Sequence, residues 1–315
     1  MISNIVFYNQ WHNGDIFSGK AYLSEIIKSL PEVNFVYAHS SHEKVMADLS
    51  AKYMSDKKLH SIITRRKDSK LYLESETLFL NTWIGAWRES SLITEEHGNW
   101  AFFHRMYSIM YGIINELIKE ERLNISENQL NYIPTTDFDR YETKLADNFL
   151  QTTKGKKLHL FCNGHVRAEQ SALGLMEPII DKLAELFSND ILICTAKFET
   201  NRRNVVFTDD IFKLENDINE IAYLSTHCRT IIGKNSGPYM FCHITQNFNS
   251  SNVCFVSLSR QISDSYPAHT LGFNCNYLHH TRENLNGVLH SIYYGMSIDS
   301  SPEVKKLSSG RCMPI

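Results

Sequence analysis

Thr230-Ile231-Ile232-Gly233-Lys234-Asn235-Ser236-Gly237-Pro238 reads as a short β-strand, a glycine-flanked turn and the start of a helix. Proline suits a first helical turn, where its missing N–H has no partner to lose. Ser236 is then a natural N-cap, and the free N–H groups behind it form an anion site beside the Lys234 ammonium. Local physics leaves two readings open, a phosphate cradle or a plain capped helix. Either way the strand–turn–helix order is that of a parallel α/β sheet.

Working outward, the same order recurs. Upstream, Leu158-His-Leu-Phe-Cys162 is a strand, 163–167 a loop and 172–187 a helix; Ile191–Cys194, Val205–Phe207 and Val253–Ser257 are further strands, and 282–296 a last helix. Nearer the N-terminus, Ile5–Tyr8 and Asn34–Tyr37 are strands, with helices at 18–29, ended by Pro31, and at 43–54. Ser61–Thr64 and Thr77–Trp83 read as strands, and 99–120 as a long helix. The polar stretch 124–156 separates the two halves. The expectation is two Rossmann-like lobes with parallel sheets facing across a cleft, at 1–152 and 153–281, with a C-terminal helix and tail at 282–315 packing back on the first lobe. Ligand loops then lie at the carboxyl ends of the strands: 9–15, 163–168 and 233–238.

The bulk numbers narrow the function. The 315 residues suit two domains, 43% hydrophobic and 21% charged residues are globular composition, and a net charge of −3 gives no sign of a polyanion-binding surface. The seven cysteines are an odd number without a CxxC pair, which points to buried free thiols rather than disulfides or zinc. No leader precedes Asn4–Tyr8, so a cytoplasmic protein is expected, with peripheral membrane association compatible. His104, Arg105 and Asn115 interrupt the apolar stretch 100–118, which therefore reads as a buried helix and not a membrane span.

The run from Asp217 through Pro238 resembles the donor-binding half of the B-fold glycosyltransferases and looks closest to the heptosyltransferase-like family, whose strand leads into an Asp-Ser-Gly-Pro-x-His turn. Here Ser236, Gly237 and Pro238 match, Asn235 replaces the Asp, and Met240 stands where the His would be, with His243 three residues on. His12-Asn13-Gly14-Asp15 is similar to the family's Gly-Asp pair after the first strand. The resemblance implies Asp15 as the general base, with His12, Asn13 and Gly14 on the acceptor side. It also implies that Arg167, Lys234, Asn235, Ser236, Gly237 and Pro238 hold the donor diphosphate. The plain alternatives are a helix cap for Asp15 and an ion pair for Arg167, and Lys197, Arg202 and Arg203 compete for Arg167's role.

The implied reaction is transfer of a sugar from a nucleotide-diphosphate donor to a hydroxyl acceptor, with no metal and no cofactor. The acceptor is a glycan, a lipid-linked glycan, a protein or a modified nucleic-acid base. Rival readings are a nucleotide-sugar epimerase, a polysaccharide pyruvyl transferase, or a nucleotide-sugar-binding protein without catalysis. Asp137-Phe138-Asp139 has the spacing of a metal-binding triplet but reads as a capping box with Thr136. Glu177 and Glu185 read as solvated helix charges, Asp209-Asp210 as a surface loop, and His279-His280 as a pair without further metal ligands.

Overall fold

The computed structural model describes residues 2–63, 70–87, 98–125, 132–164, 176–214, 216–234, 237–258, 272–280 and 285–297. The chain divides into two compact units, Met1–Thr136 and Asp137–Ile315.

In the first unit, strands β1 (Asn4–Asn9), β2 (Asn34–His39), β3 (Lys52–Ser55), β4 (Leu71–Glu74) and β5 (Thr77–Asn81) form one sheet in the order β3-β2-β1-β5-β4. All neighbours are parallel except β4, which runs antiparallel on β5 at the edge. Helices α1 (Asn13–Ser18) and α2 (Lys20–Ser29) follow β1, α3 (Asp56–Ile63) follows β3, and α4 (Gly98–Ile118) follows β5. The apolar stretch on α4 is a core helix, as its interruptions imply: Met106, Tyr107, Met110, Tyr111 and Ile114 are buried. Tyr107 stacks on Tyr22 of α2 with ring centroids 4.4 Å apart, and its hydroxyl lies where a Cβ on Gly19 would stand, 2.1 Å away. The close approach therefore requires glycine at that position.

Two expectations for this unit are corrected. The helix foreseen over 43–54 is a 3-10 turn, Glu43–Met46, followed by β3. Tyr53 and Met54 pair with Tyr37 and Ala38, so tertiary pairing overrides a local pattern that suits a helix. The strand foreseen over 61–64 falls largely in α3, where Leu59 is buried and Asp56 occupies the first turn.

The second unit begins earlier than the foreseen boundary at 152. Helix α5 (Lys144–Thr152) belongs to it, because the Tyr223 hydroxyl donates to Asp147 Oδ1 at 2.6 Å and the Glu142 N–H donates to Glu220 Oε1 at 3.1 Å. Its strands are β6 (Leu158–Cys162), β7 (Ile191–Cys194), β8 (Val205–Phe207), β9 (Thr230–Lys234), β10 (Cys254–Leu258) and β11 (Asn276–His280), all parallel, in the order β11-β10-β9-β6-β7-β8. Renumbered from β6, this is the 3-2-1-4-5-6 order of a dinucleotide-binding sheet, with its switch point between β6 and β9.

Helix α6 (Glu177–Leu186) and α11 (Leu285–Ser297) cover one face of that sheet. Val288, Ile292 and Met296 of α11 join Ile179, Ile180, Ile232, Cys254 and Val256 in a single core. The C-terminal helix is thus part of the second unit's core, and the tail 298–315 lies outside the described residues. Each of those three side chains contributes about 1.5–3 kcal/mol of burial to the second unit. The other face meets α8 (Ile218–Ser225), α9 (Gly237–Phe241) and α10 (Thr245–Phe248), while α7 (Thr208–Phe212) follows β8. Six cysteines, 162, 194, 228, 242, 254 and 275, are free and buried. No helix among the described residues is long and apolar enough to cross a membrane.

Candidate functional site

Each sheet has a topological switch point, and the foreseen ligand loops leave the sheets there. In the first unit the parallel order turns between β1 and β5, so the segments after Asn9 and Asn81 emerge side by side. The β1 segment enters α1 with His12 as N-cap, in extended conformation and with no side-chain capping bond. His12 is exposed, and its carbonyl accepts from the Ile16 N–H at 3.1 Å. Asn13 opens the helix, and the Gly14 carbonyl accepts from Ser18 Oγ at 2.8 Å. Asp15 stands in the first turn, half-buried, and is not the cap.

Hydrogen bonds tie the start of α1 to the strand ends. The Tyr37 hydroxyl donates to the Ile16 carbonyl at 3.3 Å and lies 3.2 Å from Thr82 Oγ1. Thr82 Oγ1 in turn donates to the Tyr8 carbonyl at 3.3 Å. Burial pushes the Tyr37 phenol far up, the Thr82 contact opposes this, and the Asp15 charge adds to it. Tyr37 therefore stays protonated as a structural donor. On the next helix, Lys20 forms a buried ion pair with Asp48 at 2.5 Å, donates to Thr136 Oγ1 at 3.2 Å and lies over the Phe17 ring.

In the second unit the switch point sets the end of β6 beside the end of β9, with Cys162 opposite Gly233. Asn163 is committed to structure: its Nδ2 donates to the Ala196 carbonyl and its Oδ1 accepts the Ala196 N–H, each at 2.9 Å. That clamp ties the β6 and β7 loops together. Gly164 has open space where a Cβ would stand. Arg167 lies outside the described residues, as do Asn235 and Ser236. Of the competing cations, Lys197 pairs with Asp210 at 2.6 Å, and Arg202 holds Asp181 through two bonds of 3.1 Å and Glu185 at 3.2 Å. Both are surface ion pairs.

Lys234 ends β9 and is buried. Burial lowers the pKa of its ammonium, and the negative charge of Glu177 opposes that shift. Glu177 thus stands at the switch point, at the start of α6 with Pro178 beside it, and its Oε2 is buried without a hydrogen-bond partner. This corrects its reading as a solvated helix charge. The signal was Pro178, which marks a helix start at the carboxyl end of the sheet. Beyond Lys234, Gly237 and Pro238 open α9, as foreseen.

Tyr239 of α9 fills the space over Gly233, where an added Cβ would fall 2.4 Å from its ring. His243 does not stand in for a ligand-facing histidine. It is buried among Tyr239, Phe248, Phe255 and Tyr277, with Nε2 3.2 Å from the Tyr277 hydroxyl, and burial lowers its pKa to about 3.

The remaining motifs take structural roles. Asp137 caps the 3-10 turn Phe138–Arg140 by accepting the Asp139 N–H at 3.2 Å, and Thr136 instead accepts from Lys20. Asp209 and Asp210 sit in the first turn of α7 and not in a loop. Among the described residues no group of three or more His, Cys, Asp or Glu side chains is placed to hold a metal ion.

No family model matches the sequence, and no curated protein matches it. Solved structures do match its fold. A glycosyl transferase family 9 protein from Veillonella parvula is 15% identical with a TM-score of 0.50, covering 96% of this chain and 95% of that one. The E. coli ADP-heptose LPS heptosyltransferase II is 10% identical with a TM-score of 0.52, over 94% and 98%. An E. coli heptosyltransferase solved with ADP-2-deoxy-2-fluoro heptose is 9% identical with a TM-score of 0.52, over 92% and 98%. At these identities the likeness establishes architecture: the chain has the B-type glycosyltransferase fold that the Ser236-Gly237-Pro238 turn implied.

Proposed function

We propose that this protein is a glycosyltransferase that moves a sugar from a nucleotide-diphosphate donor to a hydroxyl acceptor without a metal ion. The observation that carries the reading is the second sheet's switch point, where a buried lysine and a glycine-proline helix start meet in a fold shared with heptosyltransferases.

In this reading the acceptor oxygen attacks the anomeric carbon as the bond to the diphosphate oxygen breaks. The acceptor proton passes to the Asp15 carboxylate, and the nucleoside diphosphate leaves. Lys234 and the N–H groups of residues 235–237, together with Arg167, meet the charge that develops on the leaving group. A diphosphate beside Lys234 would favour its ammonium form and so oppose the effect of burial. His12, Asn13 and Gly14 shape the acceptor side.

The test is product analysis with labelled UDP- and ADP-sugars, first alone and then with a panel of methyl glycosides as acceptors. Transfer that requires an acceptor and falls at least about a hundredfold in Asp15→Asn supports the proposal. An epimerised nucleotide sugar formed from donor alone, or an unchanged transfer rate in Asp15→Asn, overturns it.

A further inference from the structure

The strand ends at the first unit's switch point carry the same Asn-x-Trp pattern twice: Asn9-Gln10-Trp11 at the end of β1 and Asn81-Thr82-Trp83 at the end of β5. Each asparagine Oδ1 accepts the N–H of its own tryptophan at 3.0 Å. Because β1 and β5 are adjacent and parallel, these two turns point the indoles at one another. The rings stack with centroids 4.3 Å apart and planes inclined by 22°.

The lower ring is held fast. Trp83 lies across the 3-10 turn Ile84–Trp87, and a Cβ on Gly85 would fall 2.2 Å from its six-membered ring, so glycine is required beneath it. Trp87 Nε1 donates to the Asn81 carbonyl at 2.7 Å and fixes that turn. Trp11 rests on this base and is still 46% exposed. Trp83 covers one face, so the exposure falls on its other face and edge. The stack therefore presents a flat aromatic face to solvent on a held base. At the same strand ends, Gln10 Nε2 and His39 Nδ1 are buried and lack hydrogen-bond partners, with His39 paired in register to Asn9. His12 and α1, with Asp15, begin at the next residue.

We infer that the Trp11–Trp83 stack is a sugar platform: it takes the apolar face of a pyranose ring, so the acceptor is a carbohydrate hydroxyl. A pyranose face of axial C–H groups carries partial positive charge and suits the negative face of an indole. Its equatorial hydroxyls suit the polar strand ends around it. The acceptor role rests on the glycosyltransferase reading above, whereas the platform itself rests on the first unit alone.

Saturation-transfer NMR on the full chain tests this with methyl β-D-glucopyranoside, methyl β-D-galactopyranoside and methyl α-D-mannopyranoside as probes, and with adenosine and uridine as the base-stacking alternative. Saturation is expected at the ring hydrogens of one pyranose face. Trp11→Ala should weaken binding about tenfold, or about 1.4 kcal/mol, and Trp11→Phe should retain most of it. Gly85→Ala, which displaces Trp83 from beneath Trp11 without replacing either indole, should weaken it comparably. The inference is overturned if no methyl glycoside receives saturation, if Trp11→Ala binds as wild type does, or if adenosine or uridine gives the stronger Trp11-dependent signal. Melting in the presence of UDP and ADP separates this from the donor reading. Trp11→Ala should keep any nucleotide stabilisation, because the donor turn is in the other unit. Sugar binding that depends on Trp11 without nucleotide stabilisation would leave the platform standing and remove the donor site.

Discussion

Replacing Gly233 with alanine places a methyl group 2.4 Å from Tyr239 Cδ2, 2.6 Å from Cγ and 2.9 Å from Cβ. Carbon atoms at rest stand about 3.5–4.0 Å apart, so roughly 1 Å of separation must be found. The strand cannot supply it, since β9 is hydrogen-bonded between β6 and β10. Tyr239 cannot supply it freely either: it is buried, edge-on to His243 at 4.7 Å, and its carbonyl accepts the Cys242 N–H at 3.1 Å. The strain therefore goes into α9 and the turn before it. Overpacking of this kind costs about 1–3 kcal/mol. In a unit of this size it lowers Tm by about 2–12 °C. The displaced helix start should also abolish nucleotide stabilisation. Scanning calorimetry of the purified variant, with and without UDP and ADP, reads both effects. Gly112→Ala is the contrast: its Cβ meets nothing within 4 Å on an exposed stretch of α4, so it should stabilise by about 0.4–1 kcal/mol. A Gly233→Ala protein that melts with wild type and keeps its nucleotide response would refute the packing argument.

Two further predictions concern charge. Lys20→Met removes the ammonium of the buried Lys20–Asp48 ion pair and should destabilise the protein by about 3–5 kcal/mol, with much of the loss recovered in Lys20→Met/Asp48→Leu; urea unfolding measures both, and a Lys20→Met protein as stable as wild type contradicts the pair. The second concerns acid. The fold holds His243 neutral to about pH 3 and His39 and His279 to about pH 4, whereas an unfolded histidine protonates near pH 6.5. The unfolded chain therefore binds more protons in that window, and stability is full above pH 6.5 and falls as pH drops through it. Each such histidine contributes about 1.4 kcal/mol per pH unit. His243→Phe should flatten the decline in urea midpoints between pH 6.5 and 5, and parallel wild-type and variant profiles would exclude His243 as a source.

The second sheet was legible because its strands are short runs of Leu, Ile, Val and Phe between polar turns, which only a buried parallel sheet accommodates. β11 escaped notice because Asn276-Tyr277-Leu278-His279-His280 is a polar edge strand with no such signature. In the first unit, Ile62-Ile63 look like strand residues but end α3. The run 43–54 looks helical but ends in the edge strand β3, which its distant partner β2 decides. That Gly233 and Lys234 end a strand and that Gly237 and Pro238 open a helix was readable from order alone. Glu177 was not, because its place beside Lys234 depends on the switch in strand order. The Trp11–Trp83 stack was invisible for the same reason. Its two Asn-x-Trp segments lie 72 positions apart and become neighbours only because β5 lies beside β1.

The central claim is a nucleotide-diphosphate site at the Lys234–Pro238 turn, and nucleotide-dependent melting tests it most directly. Wild-type protein is screened against UDP, ADP, GDP and dTDP and their sugars, beside Ser236→Asp, which puts a negative charge in the turn. A true donor at a hundred times its Kd adds about 2.7 kcal/mol, and the account predicts that rise in wild type and its loss in Ser236→Asp. Failure of every nucleotide to stabilise the wild type, or an equal rise in Ser236→Asp, would contradict it.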